Sequence, residues 1–282
     1  MNSNSRHRRA SKKRVIAVAG VAAGVAAAAL VATSANASVE HNSEAKKPTV
    51  VLVHGAFADS SSWNGVIKKL QKDGYPVIAP ANPLRGLHQD AEYLRTVLDS
   101  VSGPIVLAGH SYGGSVMSEA AAGDKDVKAL VYLASFQPEV GESTSELAAK
   151  FPGGELGPAL NSVPIQIPGA GEGTDLYIKQ DQFRDVFAAD VPSSVTKLMA
   201  ATQRPITSAA LDEKAIEAAW KTIPSWSLIA KQDLAVPLES QRFMSKRANS
   251  HITEINASHA ISVSEPGAVT KIIEEASKAT VR

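Results

Sequence analysis

The 282-residue chain has no cysteine. That excludes disulfides, zinc–thiolate and iron–sulfur sites, a cysteine nucleophile and a lipid-modified N-terminal cysteine. No G-x-G-x-x-G follows a strand-like run, no Walker-type loop occurs, and no histidine or carboxylate group has metal-ligand spacing, so neither a cofactor nor a metal is expected. Acidic residues are missing from the first 37 positions, and charge of either sign is missing from residues 15–37. What is present (44% hydrophobic, 20% charged, 19 Gly, 15 Pro) is neither collagenous nor low-complexity. It is the composition of a soluble globular chain, long enough for one large or two small domains with a sizeable core.

The acid-free N-terminus makes the overall charge of +1 misleading. Of 29 Lys+Arg and 28 Asp+Glu, six basic residues (Arg6, Arg8, Arg9, Lys12, Lys13, Arg14) fall in the first fourteen positions, leaving 23 basic against 28 acidic, a net of −5, over residues 38–282. A mildly acidic body argues against nucleic acid as a partner. Basic residues 1–14, apolar residues 15–32 (VIAVAGVAAGVAAAALVA) and Ala35-Asn36-Ala37 follow the order of a secretory signal peptide. The run consists mostly of Ala, Gly and Val and partitions weakly into hydrocarbon, so cleavage after Ala37 is expected rather than a stable membrane anchor. Arg8-Arg9 suggests twin-arginine export, but Ala10-Ser11-Lys12-Lys13 stands where hydrophobic residues usually follow, so the route stays open. A secreted, extracytoplasmic protein is expected, and one without cysteine must draw its stability from packing.

After a flexible lead-in at 38–47, short apolar runs alternate with helix-like stretches. Residues 48–54 (PTVVLVH), 75–79, 104–108 (PIVLA) and 127–134 (VKALVYLA) read as buried strands. Between them, Trp63, Val66, Ile67 and Leu70 recur at helical spacing up to Gly74, residues 88–101 read as a helix, and another spans about 114–122. The alternation resumes with strands at 225–230 (SWSLIA) and 251–255 and helices near 238–248 and 266–278. Such alternation implies parallel βαβ units and an α/β fold with a doubly wound, mostly parallel sheet. The core is expected at 48–138 and 225–282. Residues 139–224 break the pattern and read as a helical, loop-rich cap inserted after the fourth predicted strand, with helix-like patches at 182–189 and 195–201.

The strongest chemical signal is Gly109-His110-Ser111-Tyr112-Gly113-Gly114, directly after the strand PIVLA and before a helix rich in small residues. This is G-x-S-x-G in the strand–turn–helix context that exposes a serine hydroxyl on a strained bend, beside the helix N-terminus. A serine nucleophile needs a base. His41 lies in the lead-in, His54 in the first turn, His88 opens a helix, His110 sits inside the elbow facing away from Ser111, and His251 starts a strand. His259 follows the strand HITEI by a short loop, at the edge where a doubly wound sheet gathers its site. Asp233, past the run SWSLIAKQ, is the preferred orienting carboxylate because one strand–loop unit connects it to His259; Glu139 is the alternative. The order Ser111, Asp233, His259 is the order in which this fold presents a triad. Backbone N–H groups of Tyr112 and of Ala56, in the turn Val53-His54-Gly55-Ala56-Phe57, are the expected oxyanion donors, with Gly55 allowing close approach of substrate and Phe57 beside it. Asp59-Ser60-Ser61-Ser62 reads as a helix N-cap cluster. Phe151, Phe183, Phe187, Leu198, Met199 and Trp220 in the cap either line an apolar pocket or simply pack the cap down.

In order, VLVHGAF…W, GHSYGG, KQDLAVP and SHAISVSEP resemble the α/β-hydrolase superfamily, and more narrowly the small-lid esterases related to plant methylesterases and hydroxynitrile lyases. The resemblance spans residues 48–282. It implies a Ser111–Asp233–His259 triad, oxyanion N–H groups from Ala56 and Tyr112, and a small-molecule or lipid-like ester as substrate. Hydroxynitrile lyases of this group carry a lysine directly after the catalytic histidine and a threonine near the first-strand turn. Here Ala260 and Gly55-Ala56-Phe57 stand instead, so ester hydrolysis is expected over cyanohydrin cleavage. A lyase or perhydrolase on the same triad, or a non-catalytic binding protein on a hydrolase scaffold, are the alternatives.

Overall fold

In the computed structural model the described residues are 47–280, apart from 168 and 170. The expected signal peptide at 1–37 and nearly all of the lead-in lie outside them. The first apolar run forms β1 (Thr49–Val53), whose side chains alternate between two cores: Val51 and Val53 join one, Val50 and Leu52 the other. A strand buried on both faces has no polar face to show, which is why PTVVLVH lacks alternation. The chain then makes a 3-10 turn at Ser60–Trp63, capped by Asp59, whose Oδ1 accepts from the Ser61 N–H at 2.7 Å. The turn leads into α1 (Asn64–Lys72), which buries Val66 and Leu70. Then follow β2 (Val77–Ile78), α2 (Leu87–Asp99), β3 (Ile105–His110), α3 (Tyr112–Ala120) and β4 (Val127–Leu133).

Residues 139–224 contain α4 (Thr144–Ala149), opened by a Ser143/Glu146 capping box, then β5 (Leu160–Ile167), β6 (Gly171–Ile178), α5 (Phe183–Phe187), α6 (Ser193–Thr202), β7 (Ile206–Thr207) and α7 (Ser208–Asp212). The two expected helical patches are present as α5 and α6. A helical and loop-rich reading of this stretch nevertheless needs correcting, because β5 and β6 pair antiparallel along their full length and β7 adds a third strand. β5 is largely exposed and β6 mostly half-buried, so burial imposes no clean alternation on them. Pro164, which looks like a breaker, is tolerated because β5 is an edge. The core then resumes with β8 (Ser225–Ala230), α8 (Leu238–Arg247), β9 (His251–Ile255), α9 (Ile261–Ser264) and α10 (Pro266–Thr280).

The main sheet has the order β2-β1-β3-β4-β8-β9, with every pair parallel. Helices α1 and α10 cover one face, and α2, α3 and the cap cover the other. Leaving β1, the chain winds first to β2 on one side, then crosses to β3 on the other. The topological switch point therefore lies between the C-terminal ends of β1 and β3, where an open α/β sheet forms its crevice. Gly55 and Ser111 follow those two ends.

Candidate active site

Ser111 sits between the last residue of β3 and the first of α3 with φ 53° and ψ −127°, a conformation that L-residues adopt only under constraint. The constraint is visible. The Ser111 carbonyl accepts from Ser135 Oγ (2.7 Å), Gly114 N (3.0 Å) and Phe136 N (3.3 Å), and its N–H donates to Leu133 O (3.3 Å). The glycines around it are spacers. A Cβ at Gly113 would lie 2.5 Å from Val53 O, one at Gly109 would lie 2.8 Å from Gly113 O, and one at Gly114 would collide with Ser135 and Phe136. A Cβ at Gly55 would lie 2.7 Å from Ser111 Cβ, so this glycine makes room for the Ser111 turn itself.

On the facing turn, His54 donates from Nδ1 to Gly55 O (2.9 Å) and accepts at Nε2 from Asn82 N (2.9 Å), while Asn82 Nδ2 donates to His54 O (3.0 Å). Burial lowers the His54 pKa to about 4, so the ring is neutral at pH 7 and both bonds hold. Phe57 has φ 61°, and its N–H donates to Arg204 O at 3.0 Å. Ala56, just before it, lines the same cavity as Ser111. Tyr112, first residue of α3, has an N–H without an intrahelical acceptor. Its hydroxyl donates to Asp90 Oδ2 on α2 (2.9 Å), and burial pushes the Asp90 pKa up to about 6.

Asp233 follows β8 and is 4% exposed. Its Oδ1 accepts from the N–H groups of Ala235 and Val236, both at 2.8 Å, which curls the loop around the carboxylate. Its Oδ2 accepts from His259 Nδ1 at 2.7 Å and from Gln241 Nε2 at 3.0 Å. With Nδ1 so engaged, Nε2 is left for the cavity that His259 lines. Cap residues hold the His259 loop. Ser258 donates from N to Asp190 Oδ2 (2.9 Å) and from Oγ to Asp190 Oδ1, and the Ala260 N–H donates to Phe187 O (2.9 Å). His110 lies beneath the imidazole, with ring centroids 4.6 Å apart, and donates from Nε2 to His259 O at 2.8 Å. Burial lowers the His110 pKa well below 6.5, and its Nδ1 has no partner.

Ser111, His259, Ala56, Phe57 and Tyr112 line one enclosed, mostly apolar cavity of about 60 Å³, together with Phe136, Leu156, Leu160, Leu211 and Val236. No hydrogen bond joins Ser111 to His259 among the described residues, a common state of such pairs before substrate arrives. The alternatives weighed from sequence lie elsewhere. Glu139 pairs with Lys221 (2.5 Å), His88 with Glu119 (2.7 Å), and His251 stacks on Trp226. His41 is outside the described residues. Of the cap aromatics, only Phe187 reaches the site, its ring 4.8 Å from that of His259; Phe183 and Trp220 are core, and Phe151 packs on Phe243. Gln241, Asp190 and His110 escaped the sequence reading in these contacts. Only His110, next to the nucleophile, carries a local signal. Among the described residues, no group of three or more His, Asp and Glu is placed to hold a metal ion.

A model of the alpha/beta hydrolase family matches residues 50–272. Alpha/beta hydrolase nvfD of Aspergillus novofumigatus is 30% identical over 254 residues, covering 82% of this chain and 96% of its own. The pyrethroid hydrolase of Sphingobium wenxiniae is 27% identical, covering 80% and 86%. Among solved structures, polyneuridine aldehyde esterase superposes with a TM-score of 0.71 at 18% identity, covering 81% of this chain and 98% of that one, a likeness of fold.

Proposed function

The chain belongs to the alpha/beta hydrolase family, and from that premise we propose that it is a serine hydrolase of carboxylic esters working through an acyl-enzyme. Ser111 Oγ attacks the ester carbonyl carbon while His259 Nε2 takes its proton. Asp233 accepts from Nδ1 and so fixes the tautomer and offsets the charge of the imidazolium. The N–H groups of Ala56 and Tyr112 donate to the carbonyl oxygen as it becomes an oxyanion. The C–O bond to the alcohol then breaks, His259 returns the proton to the departing oxygen, and Ser111 is left acylated. Water, deprotonated by His259, attacks the acyl carbon; the bond to Ser111 Oγ breaks, His259 returns the proton to that oxygen, and the acid leaves.

The observation that carries this reading is the 2.7 Å bond from His259 Nδ1 to a buried Asp233, with the imidazole lining the same small cavity as a serine on a strained turn. Folded Ser111→Ala is expected to lose ester turnover by several orders of magnitude and to lose labelling by a fluorophosphonate probe, which wild type takes at Ser111. Turnover by the variant at the wild-type rate would end the assignment. The relatives named as hydrolases support a hydrolytic reaction. We propose further that the protein is exported and cleaved after Ala37; sequencing the N-terminus of the secreted protein should begin at Ser38, and a start at Met1 would overturn this.

A further inference from the structure

We propose that the ester is held in two places divided by Phe57: a small acyl group in the enclosed chamber beside Ser111, and a bulky, largely apolar alcohol in an open groove on the other side of that ring. This deepens the esterase reading and rests on it. The groove has a volume of about 240 Å³ against about 60 Å³ for the chamber, and Phe57 lines both. One wall of the groove is α6. Val195, Leu198 and Met199 fall on one helical face by their spacing, and Leu198 is 68% exposed, the most open large hydrophobic side chain among the described residues. With Val195 also exposed and Met199 half-buried, this face of α6 is apolar and uncovered where it borders the groove. Val263, on α9, belongs to the same wall.

The assignment of alcohol to groove and acyl to chamber follows from the base. His259 must protonate the departing oxygen, so the alcohol lies on the imidazole's side of the scissile bond. Aromatic contacts lead from His259 toward Phe57, which lines the groove. Phe187 sits 4.8 Å from the imidazole and 6.3 Å from Phe57, and Val263 is four residues beyond His259. The chamber instead runs under the cap, closed by Phe136, Leu156, Leu160 and Leu211. The groove's rim of Asp59, Ser61, Asn64 and Thr202 suits an alcohol with an apolar body and a polar, uncharged end. Phe57 is placed to discriminate. Its backbone is pinned in a positive-φ conformation by the bond to Arg204 O, so the ring divides the two spaces at a set position.

Leu198→Glu places a charge in the groove at an exposed position, where folding is not at stake, and Leu198→Met serves as the conservative control. With acetates of ethanol and of 2-naphthol, Leu198→Glu is expected to lower kcat/KM for the naphthyl ester about tenfold through KM and to leave ethyl acetate unchanged, while Leu198→Met retains both. Equal losses on both esters, no loss on either, or a loss that follows acyl length across ethyl esters would overturn the division. Binding of 2-naphthol to folded Ser111→Ala, read by its fluorescence, tests the groove without hydrolysis. A roughly tenfold weaker affinity in Ser111→Ala/Leu198→Glu supports it, and unchanged affinity overturns it. If wild type cleaves neither ester, the hydrolytic reading fails while the naphthol titration still decides the groove.

Discussion

Ser111 is held where a side chain carries a penalty. A residue with a Cβ at φ 53°, ψ −127° is strained by about 1–3 kcal/mol, whereas glycine occupies the mirror image of an ordinary extended conformation there. Ser111→Gly should therefore unfold at higher temperature than Ser111→Ala, by a few °C for about 1 kcal/mol after glycine's extra chain entropy is subtracted. Both variants lack the nucleophile, so any difference between them reports the backbone alone, and equal melting temperatures would show the turn to be relaxed. This strain was legible in the sequence because G-H-S-Y-G-G between a strand and a helix has one steric solution. The positive φ of Phe57 was not, because its cause, the Arg204 carbonyl, arrives from 147 positions along the chain and leaves no mark beside the residue.

At the scale of elements, the acid's position depends on a helix as much as on its own loop. Gln241, buried on α8, donates to Asp233 Oδ2 (3.0 Å) and Val236 O (2.8 Å) and accepts from Ala230 N (3.2 Å), so one amide ties the end of β8, the acid and the loop between them. Gln241→Leu takes this partner from Ala230 N and Val236 O and leaves Asp233 Oδ2 with His259 alone, and is expected to cost about 1–3 kcal/mol of stability. It should also lower kcat, with KM near the wild-type value, because the imidazole loses its alignment before the substrate does. Intact kcat in a destabilised variant would reduce Gln241 to a structural tie. Sequence patterning revealed the strands β8 and β9 and the two loops after them, β8 as a largely apolar run buried along its length and β9 as a short, exposed run with β-branched residues at 252, 253 and 255. It could not reveal Gln241, because the inward face of α8 is itself largely polar, with Ser240 and Ser245 buried beside it. The hairpin of β5 and β6 stayed hidden for a related reason: periodicity records burial, and these strands are buried on neither face along most of their length.

For the molecule as a whole, the buried titratable groups oppose one another across the acid range. His54, with its pKa lowered from 6.5 to about 4, contributes stability that is present above pH 6.5 and lost as pH falls through 4, about 3 kcal/mol in all. Asp90, raised from 3.8 to about 6, contributes a similar amount that is present below pH 3.8 and lost as pH rises through 6. These two largely cancel, leaving His110, also held neutral by burial, to tip the sum toward loss of stability in acid. Denaturant unfolding at pH 7.0 and 4.5 should show wild type weaker at 4.5, and Asp90→Asn should show a steeper decline, because the opposing contribution is gone. A flat profile in wild type, or identical slopes in the two proteins, would contradict this balance. The fold class was legible from the alternation of elements, and the order of the three candidate site residues followed from it. The coupling of remote ionisable groups was not, since it depends on which side chains three-dimensional packing strips of water.

The cap and the imidazole loop are bolted together. Asp190 grips Ser258, and the Phe187 carbonyl holds the Ala260 N–H, one on each side of His259. A cover fastened to the proton-handling group cannot swing upward between turnovers without unseating it. On the proposed esterase reading, ester and alcohol would then pass sideways beside Phe57, with the cap in place throughout turnover.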